Sequence, residues 1–205
     1  TATGPKSVIS PNRALSIARQ RERSVLLIDL DLQKPQVGKL LGLKSDQGVM
    51  SVLEGRSELM STVIQAHVRN QQILVLPCEV PTMNSSEWMA SRQMSSFLQN
   101  IRLNFKAVTV ILDLPPVLYS DDVISVLPQV DCALLVTAAG VSTPSEIREC
   151  SRHLESTPVV RVVVNKAVDA AKPYHYSYGR PPTGPSRRAV SGLTQVVDRL
   201  ANLGR

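Results

Sequence analysis

The sequence predicts an α/β protein built on a doubly wound, mostly parallel sheet, and three observations carry that expectation. Short runs rich in Val, Leu and Ile at residues 25–28, 73–76, 108–112, 133–136 and 159–164 are apolar at consecutive positions rather than alternately, Thr109 and Arg161 apart. That is the pattern of strands buried on both faces. Segments of helical character separate most of these runs, as βαβ units require. The runs also lead into Asp29, Pro77, Asp113, Thr137 and Asn165, at the carboxyl ends of strands, where open parallel sheets keep their ligand crevice.

Taken in order, residues 11–20 predict a helix ahead of the first strand, with Ser10 as N-cap and Pro11 as first helical residue. Residues 86–104, with Trp88, Met89, Met94, Phe97, Leu98 and Ile101 as the apolar set, predict a helix before the third strand. Residues 121–127 and 144–155 supply the next two helices. These elements make up one expected domain, residues 1–170. Residues 173–188 hold four prolines, three tyrosines and two glycines, so 171–188 reads as an exposed loop or linker. From Ala189 a helical period returns through Val190, Leu193, Val196, Val197, Leu200 and Leu203, predicting a closing amphipathic helix over 189–205.

Bulk properties narrow the function. The chain has 205 residues, 43% hydrophobic and 20% charged, with a formal charge of +6, enough for a real core and incompatible with global disorder. Its basic residues are scattered, apart from Arg19, Arg21 and Arg23 and a tail with Arg180, Arg187 and Arg188. Aromatics are only 3%, so nucleic-acid binding is not expected; a basic face toward solvent, an anionic membrane or a partner is. Cys78, Cys132 and Cys150 show neither CxxC nor Cys/His spacing, which fits a reducing compartment rather than a disulfide or zinc framework. Neither a membrane-spanning run nor a leader is visible, and the expected location is cytoplasmic. His153, on a polar helix, reads as a surface residue.

Three segments carry candidate chemistry. VLLIDLDLQKP (25–35) puts Asp29 and Asp31 just past a buried strand, either as Mg²⁺ and catalytic carboxylates or as acids capping a following turn. VILDLPP (110–116) ends a strand in Asp113, the arrangement of a Walker B metal carboxylate, or a plain turn stiffened by Pro115 and Pro116. VVVNKAVD (162–169) puts Asn165 after the last strand, where its amide offers a paired donor and acceptor to a nucleobase edge. Strands running side by side in one direction would bring these acids and Asn165 to one rim.

In this order the motifs resemble the bacterial tyrosine kinases of exopolysaccharide biosynthesis. LLIDLDLQKP is similar to their second Walker-A-type motif, and GLKSDQGVMSVLEG (42–55), SSEWMASRQM (85–94) and VILDLPPVLYSDD (110–122) resemble family stretches. Tyr174, Tyr176 and Tyr178 resemble the family's C-terminal tyrosine cluster. The resemblance implies a three-layer P-loop NTPase-like fold, ATP or ADP with Mg²⁺, and self-assembly into an oligomer. It also implies a membrane-anchored polysaccharide co-polymerase as activator, with the chain peripheral at the inner face of the plasma membrane through that partner. Lys6 would meet the β- and γ-phosphates, Ser7, Asp29 and Asp113 the metal, and Asp29 and Asp31 the tyrosine hydroxyl. Asn165 would contact the base, and the three tyrosines would accept phosphate unless they are simply exposed loop residues.

The phosphate loop departs from the family pattern. TGPKSVI (3–9) has Pro5 where the glycine before the lysine belongs, which removes an N–H donor and fixes φ near −65°. Pro11 is expected to push the helix start about a turn past Lys6, displacing the anion site. Thr1 stands five residues ahead of Lys6, which implies a fragment or a lost strand. The expected outcome is weak or absent ATP turnover in a regulatory or assembly component. A ParA/MinD-like positioning ATPase and a nucleotide-free interaction module are the alternatives.

Overall fold

Contacts divide the chain into two compact units, Thr1–Gln129 and Val130–Arg205. The structure, a computed structural model, describes residues 6–20, 23–68 and 70–166.

The first unit runs α1 (Lys6–Ala18), β1 (Ser24–Asp29), α2 (Val37–Leu40), α3 (Val49–Leu53), α4 (Leu59–Thr62), β2 (Ile64–Val68), β3 (Gln71–Leu76), α5 (Ser85–Met89), α6 (Arg92–Asn104), β4 (Val108–Asp113) and α7 (Asp122–Val126). Its sheet has the order β2-β3-β1-β4. β3, β1 and β4 are parallel, and β2 joins β3 antiparallel at the edge. β1 is therefore central, and it is covered on both faces. Val25 and Leu27 pack with Ala14 and Leu15 of α1 and with Ile73 and Val75 of β3. Leu26 and Ile28, which the pleat turns to the opposite face, are also fully buried. The consecutive-apolar signature thus gives a central parallel strand, each such side chain stabilising the fold by roughly 1.5–3 kcal/mol relative to exposure.

Three expectations need correction in this unit. The first helix begins at Lys6 with Pro11 inside it, although an interior proline costs about 3 kcal/mol. Tertiary anchoring offsets that cost: Pro11, Ala14 and Leu15 are buried, and Ser10 Oγ donates to Asp113 Oδ1 at 2.7 Å. The predicted 86–104 helix is two helices, because Ser91 adopts extended backbone and caps α6 by accepting the Met94 N–H. The edge strand β2 was not expected at all.

The second unit contains β5 (Ala133–Ala138), α8 (Pro144–His153) and β6 (Val160–Asn165). β5 and β6 pair in parallel, so this unit repeats the α/β logic. α8 starts where Thr143 and Glu146 form a capping box with Pro144 in the first turn, which satisfies the orphan amides of a helix start. Leu134, Val163 and Val164 remain exposed. The predicted linker and closing helix, 171–188 and 189–205, lie outside the described residues. Among the described residues no helix is long and apolar enough to cross a membrane.

Candidate functional site

Parallel pairing of β1 with β4 runs in unbroken register from Ser24 opposite Val108 to Asp29 opposite Asp113. The two acids, 84 positions apart in sequence by subtraction of those numbers, are therefore lateral neighbours on adjacent strands. The ladder extends one residue further, with the Leu30 N–H donating to the Asp113 carbonyl at 2.8 Å. Both carboxylates are buried, Asp29 at 0% exposure and Asp113 at 3%.

Backbone donors surround Asp29. Its Oδ1 accepts the Asp31 N–H at 3.2 Å, and its Oδ2 accepts the Gln36 and Val37 N–H groups at 2.9 Å each. Asp29 is thus a turn-capping acid as well as one of a pair. Burial pushes its carboxyl up to about 7; the Val37 N–H opposes that shift and the neighbouring Asp113 charge adds to it. Two buried carboxylates side by side disfavour each other's ionisation, and a cation between them would relieve both. Asp31 is buried and accepts the Lys34 N–H at 3.2 Å, closing a tight turn just beyond the strand.

These residues fit magnesium. Among the described residues no three or more His, Cys, Asp and Glu side chains gather into a metal cage. Mg²⁺ does not need one, since it is commonly held by one or two carboxylates with phosphate oxygens and retained waters.

Of the other predicted site residues, Lys6 and Ser7 form the first turn of α1, not a loop displaced from it. α1 lies across β1, β3 and β4. Asn165 ends β6 in the second unit, where its Oδ1 accepts the N–H of Lys166, a residue at φ 55°. Tyr174, Tyr176 and Tyr178 lie outside the described residues. Sequence reasoning makes Ser10 a helix N-cap, whereas it lies inside α1 and bonds Asp113. Its signal was present: it stands one helical turn after Lys6–Ser7, on a helix packed over the strand that ends in Asp113. A cavity of about 180 Å³ lined by Asn12, Leu15, Ser16, Arg19 and Gln71 opens beside the end of α1 and the start of β3. It lies at the amino end of that strand, away from the acids.

No family model matches the chain. Its sequence is 32% identical over 183 residues to the putative tyrosine-protein kinase EpsB of Ralstonia solanacearum, covering 86% of this chain and 24% of the relative. The chain thus spans about a quarter of that protein's length. Among solved structures, the kinase domain of VpsO is similar at 28% identity and TM-score 0.68, over 78% of each chain. MinD of Pyrococcus horikoshii, complexed with Mg-ADP, is similar in fold alone at 17% identity and TM-score 0.69, over 97% of this chain and 74% of that one. Sequence relatives and fold converge on one assignment: the chain is a homologue of the bacterial tyrosine-protein kinases, with the P-loop α/β fold that their kinase domains share with MinD-type ATPases.

Proposed function

We propose that the chain is a tyrosine-kinase-like P-loop component of exopolysaccharide or capsule assembly. In this reading it binds Mg²⁺ with ATP or ADP at the Asp29–Asp113 rim and serves as a regulatory or assembly part with weak or no turnover. The observation that carries the reading is the strand register that sets Asp29 beside Asp113. Asp29 and Asp113 hold the metal together with Ser7, and Lys6 neutralises phosphate charge at the start of α1, where helix amides favour anions. Asp31 and Asp29 orient the acceptor hydroxyl and receive its proton. The nucleotide supplies the transferable phosphoryl group and magnesium the charge that stabilises it. Weak turnover follows from Pro5, which takes one amide out of the phosphate-binding loop.

A membrane-anchored co-polymerase is the proposed activator, and neighbouring copies of the chain are the proposed source of Tyr174, Tyr176 and Tyr178 as acceptors. The chain therefore works at the cytoplasmic face of the membrane through that partner. Calorimetric titration with Mg²⁺-ATP and Mg²⁺-ADP tests the proposal. Saturable binding that is lost in Lys6→Ala and Asp113→Asn is expected, with thermal stabilisation of about 2.7 kcal/mol at ~100 times Kd. Absence of binding by the wild type contradicts it. Phosphotyrosine on the tail separates the kinase reading from a MinD-like positioning ATPase.

A further inference from the structure

Beyond the paired acids, a polar cluster joins the loops that follow β1, β3 and β4. Asp122, 1% exposed, opens α7 after the β4 loop. Ser86 Oγ donates to its Oδ1 at 2.5 Å, and its backbone N–H donates to Ser120 Oγ at 3.1 Å. Beside Ser86 in α5, Ser85 is fully buried and accepts Gln33 Nε2 at 2.7 Å. Gln33 belongs to the turn that holds Asp31. The same turn is tied to the β3 loop by the Thr82 N–H, which donates to the Leu32 carbonyl at 2.8 Å.

The hydrogen-bond directions have a consequence. A serine hydroxyl that accepts the Gln33 amide keeps its own proton to donate. α5 packs against α7, and Asp122 Oδ2 is buried without a hydrogen-bond partner in the structure. An unsatisfied buried carboxylate oxygen is costly. Burial alone raises the Asp122 carboxyl, yet the hydroxyls of Ser120, Ser85 and Ser86 outweigh it and hold the group below its ordinary range. The anion is therefore the form the cluster is built around.

We infer that Asp122 is a positioning residue for the Asp31 turn: the bond it accepts from Ser86, the bond that the adjacent Ser85 accepts from Gln33 and the packing of α5 on α7 together clamp the loop after β1 to the loop that follows Asp113. The clamp sets Asp31 relative to the Asp29–Asp113 pair, and its use for metal and nucleotide rests on the function proposed above. It touches neither ligand itself. The two bonds meet at the start of α5, so loss of either loosens the same turn.

Amide hydrogen exchange by NMR on the nucleotide-free protein tests the clamp without needing any activity. Gln33→Ala changes an exposed side chain and Ser85→Ala removes only a hydroxyl; Asp122→Asn is the third variant. Each is expected to speed exchange of the Lys34 and Thr82 amides by about tenfold and to leave the Leu27 amide in β1 unchanged. The Gln33→Ala/Ser85→Ala double variant should exchange no faster than either single variant, as expected of members of one network. In parallel, an Mn²⁺ titration followed by EPR should show roughly tenfold weaker binding in Ser85→Ala at unchanged thermal midpoint. Unaltered Lys34 and Thr82 exchange, or additive effects in the double variant, overturns the inference. No Mn²⁺ or nucleotide binding by the wild type overturns the proposed function instead, and the exchange data still decide the clamp.

Discussion

The two units carry the same sequence signature with different physical results. β1 is flanked by β3 and β4 and buried on both faces, and its terminal Asp29 is fixed by amides of residues 31, 36 and 37. Among the described residues β6 has one strand neighbour, each of its positions is intermediate or exposed, and its terminal Asn165 accepts from the adjacent residue's backbone. A run of valines and leucines is therefore evidence for a parallel strand but not for its depth. Depth is what shifts the chemistry of a terminal group. Burial takes the last side chain of β1 out of water, and the register sets it beside Asp113, which is how Asp29 comes to titrate near 7.

Truncation breaks the comparison most sharply. Leu27→Ala in β1 should cost about 2–5 kcal/mol in urea unfolding, against less than about 0.5–1 kcal/mol for Val163→Ala in the partly exposed β6. Equal costs would mean that the two strands are equally deep. A close-packing test comes next. A Cβ on Gly48 would stand 2.1 Å from the Pro77 carbonyl oxygen and 2.6 Å from Glu79 Oε2, where Glu79 accepts the Met50 and Ser51 amides at the start of α3. Gly48→Ala should therefore destabilise the first unit by about 1–3 kcal/mol, the usual range for overpacking. Thr143→Ala, which deletes the α8 cap of the second unit, should cost about 1 kcal/mol.

The smallest effect is a slope. The folded Asp29 carboxyl titrates near 7 against an ordinary 3.8, so between those values the native state holds a proton that the unfolded chain has released. Stability from this group is present below about pH 4 and falls as pH rises through 7. Asp29→Asn should flatten that part of the first unit's pH–stability curve, while an Asn165→Asp substitution at the shallower rim should introduce no comparable slope.

Much of this was legible in advance. All five apolar runs became strands, and the Asp29–Asp113 pairing followed from parallel register alone. β2 lacks that signature because Ile64, Ala66 and Val68 alternate with Gln65 and His67, the period of a half-buried edge strand rather than a continuous apolar run. Local proline preference misplaces the α1 start because the Ser10–Asp113 bond and the buried Ala14–Leu15 face exist only after the chain folds. Ser91 broke a helix that periodicity alone would continue, since capping is a property of one residue rather than of a pattern. The cluster of Gln33, Ser85, Ser86 and Asp122 was invisible for the same reason as Ser10: its members come from three separate segments, and only strand order brings them together.

The central claim is that two acids from different strands share one buried rim. It is most directly tested by carboxyl-carbon NMR titration of Asp29 in the metal-free protein and in Asp113→Asn. The account predicts a midpoint near 7 that moves down when the neighbouring charge is removed, and down again in the wild type on adding Mg²⁺. A midpoint in the ordinary carboxylate range, indifferent to both changes, would contradict it.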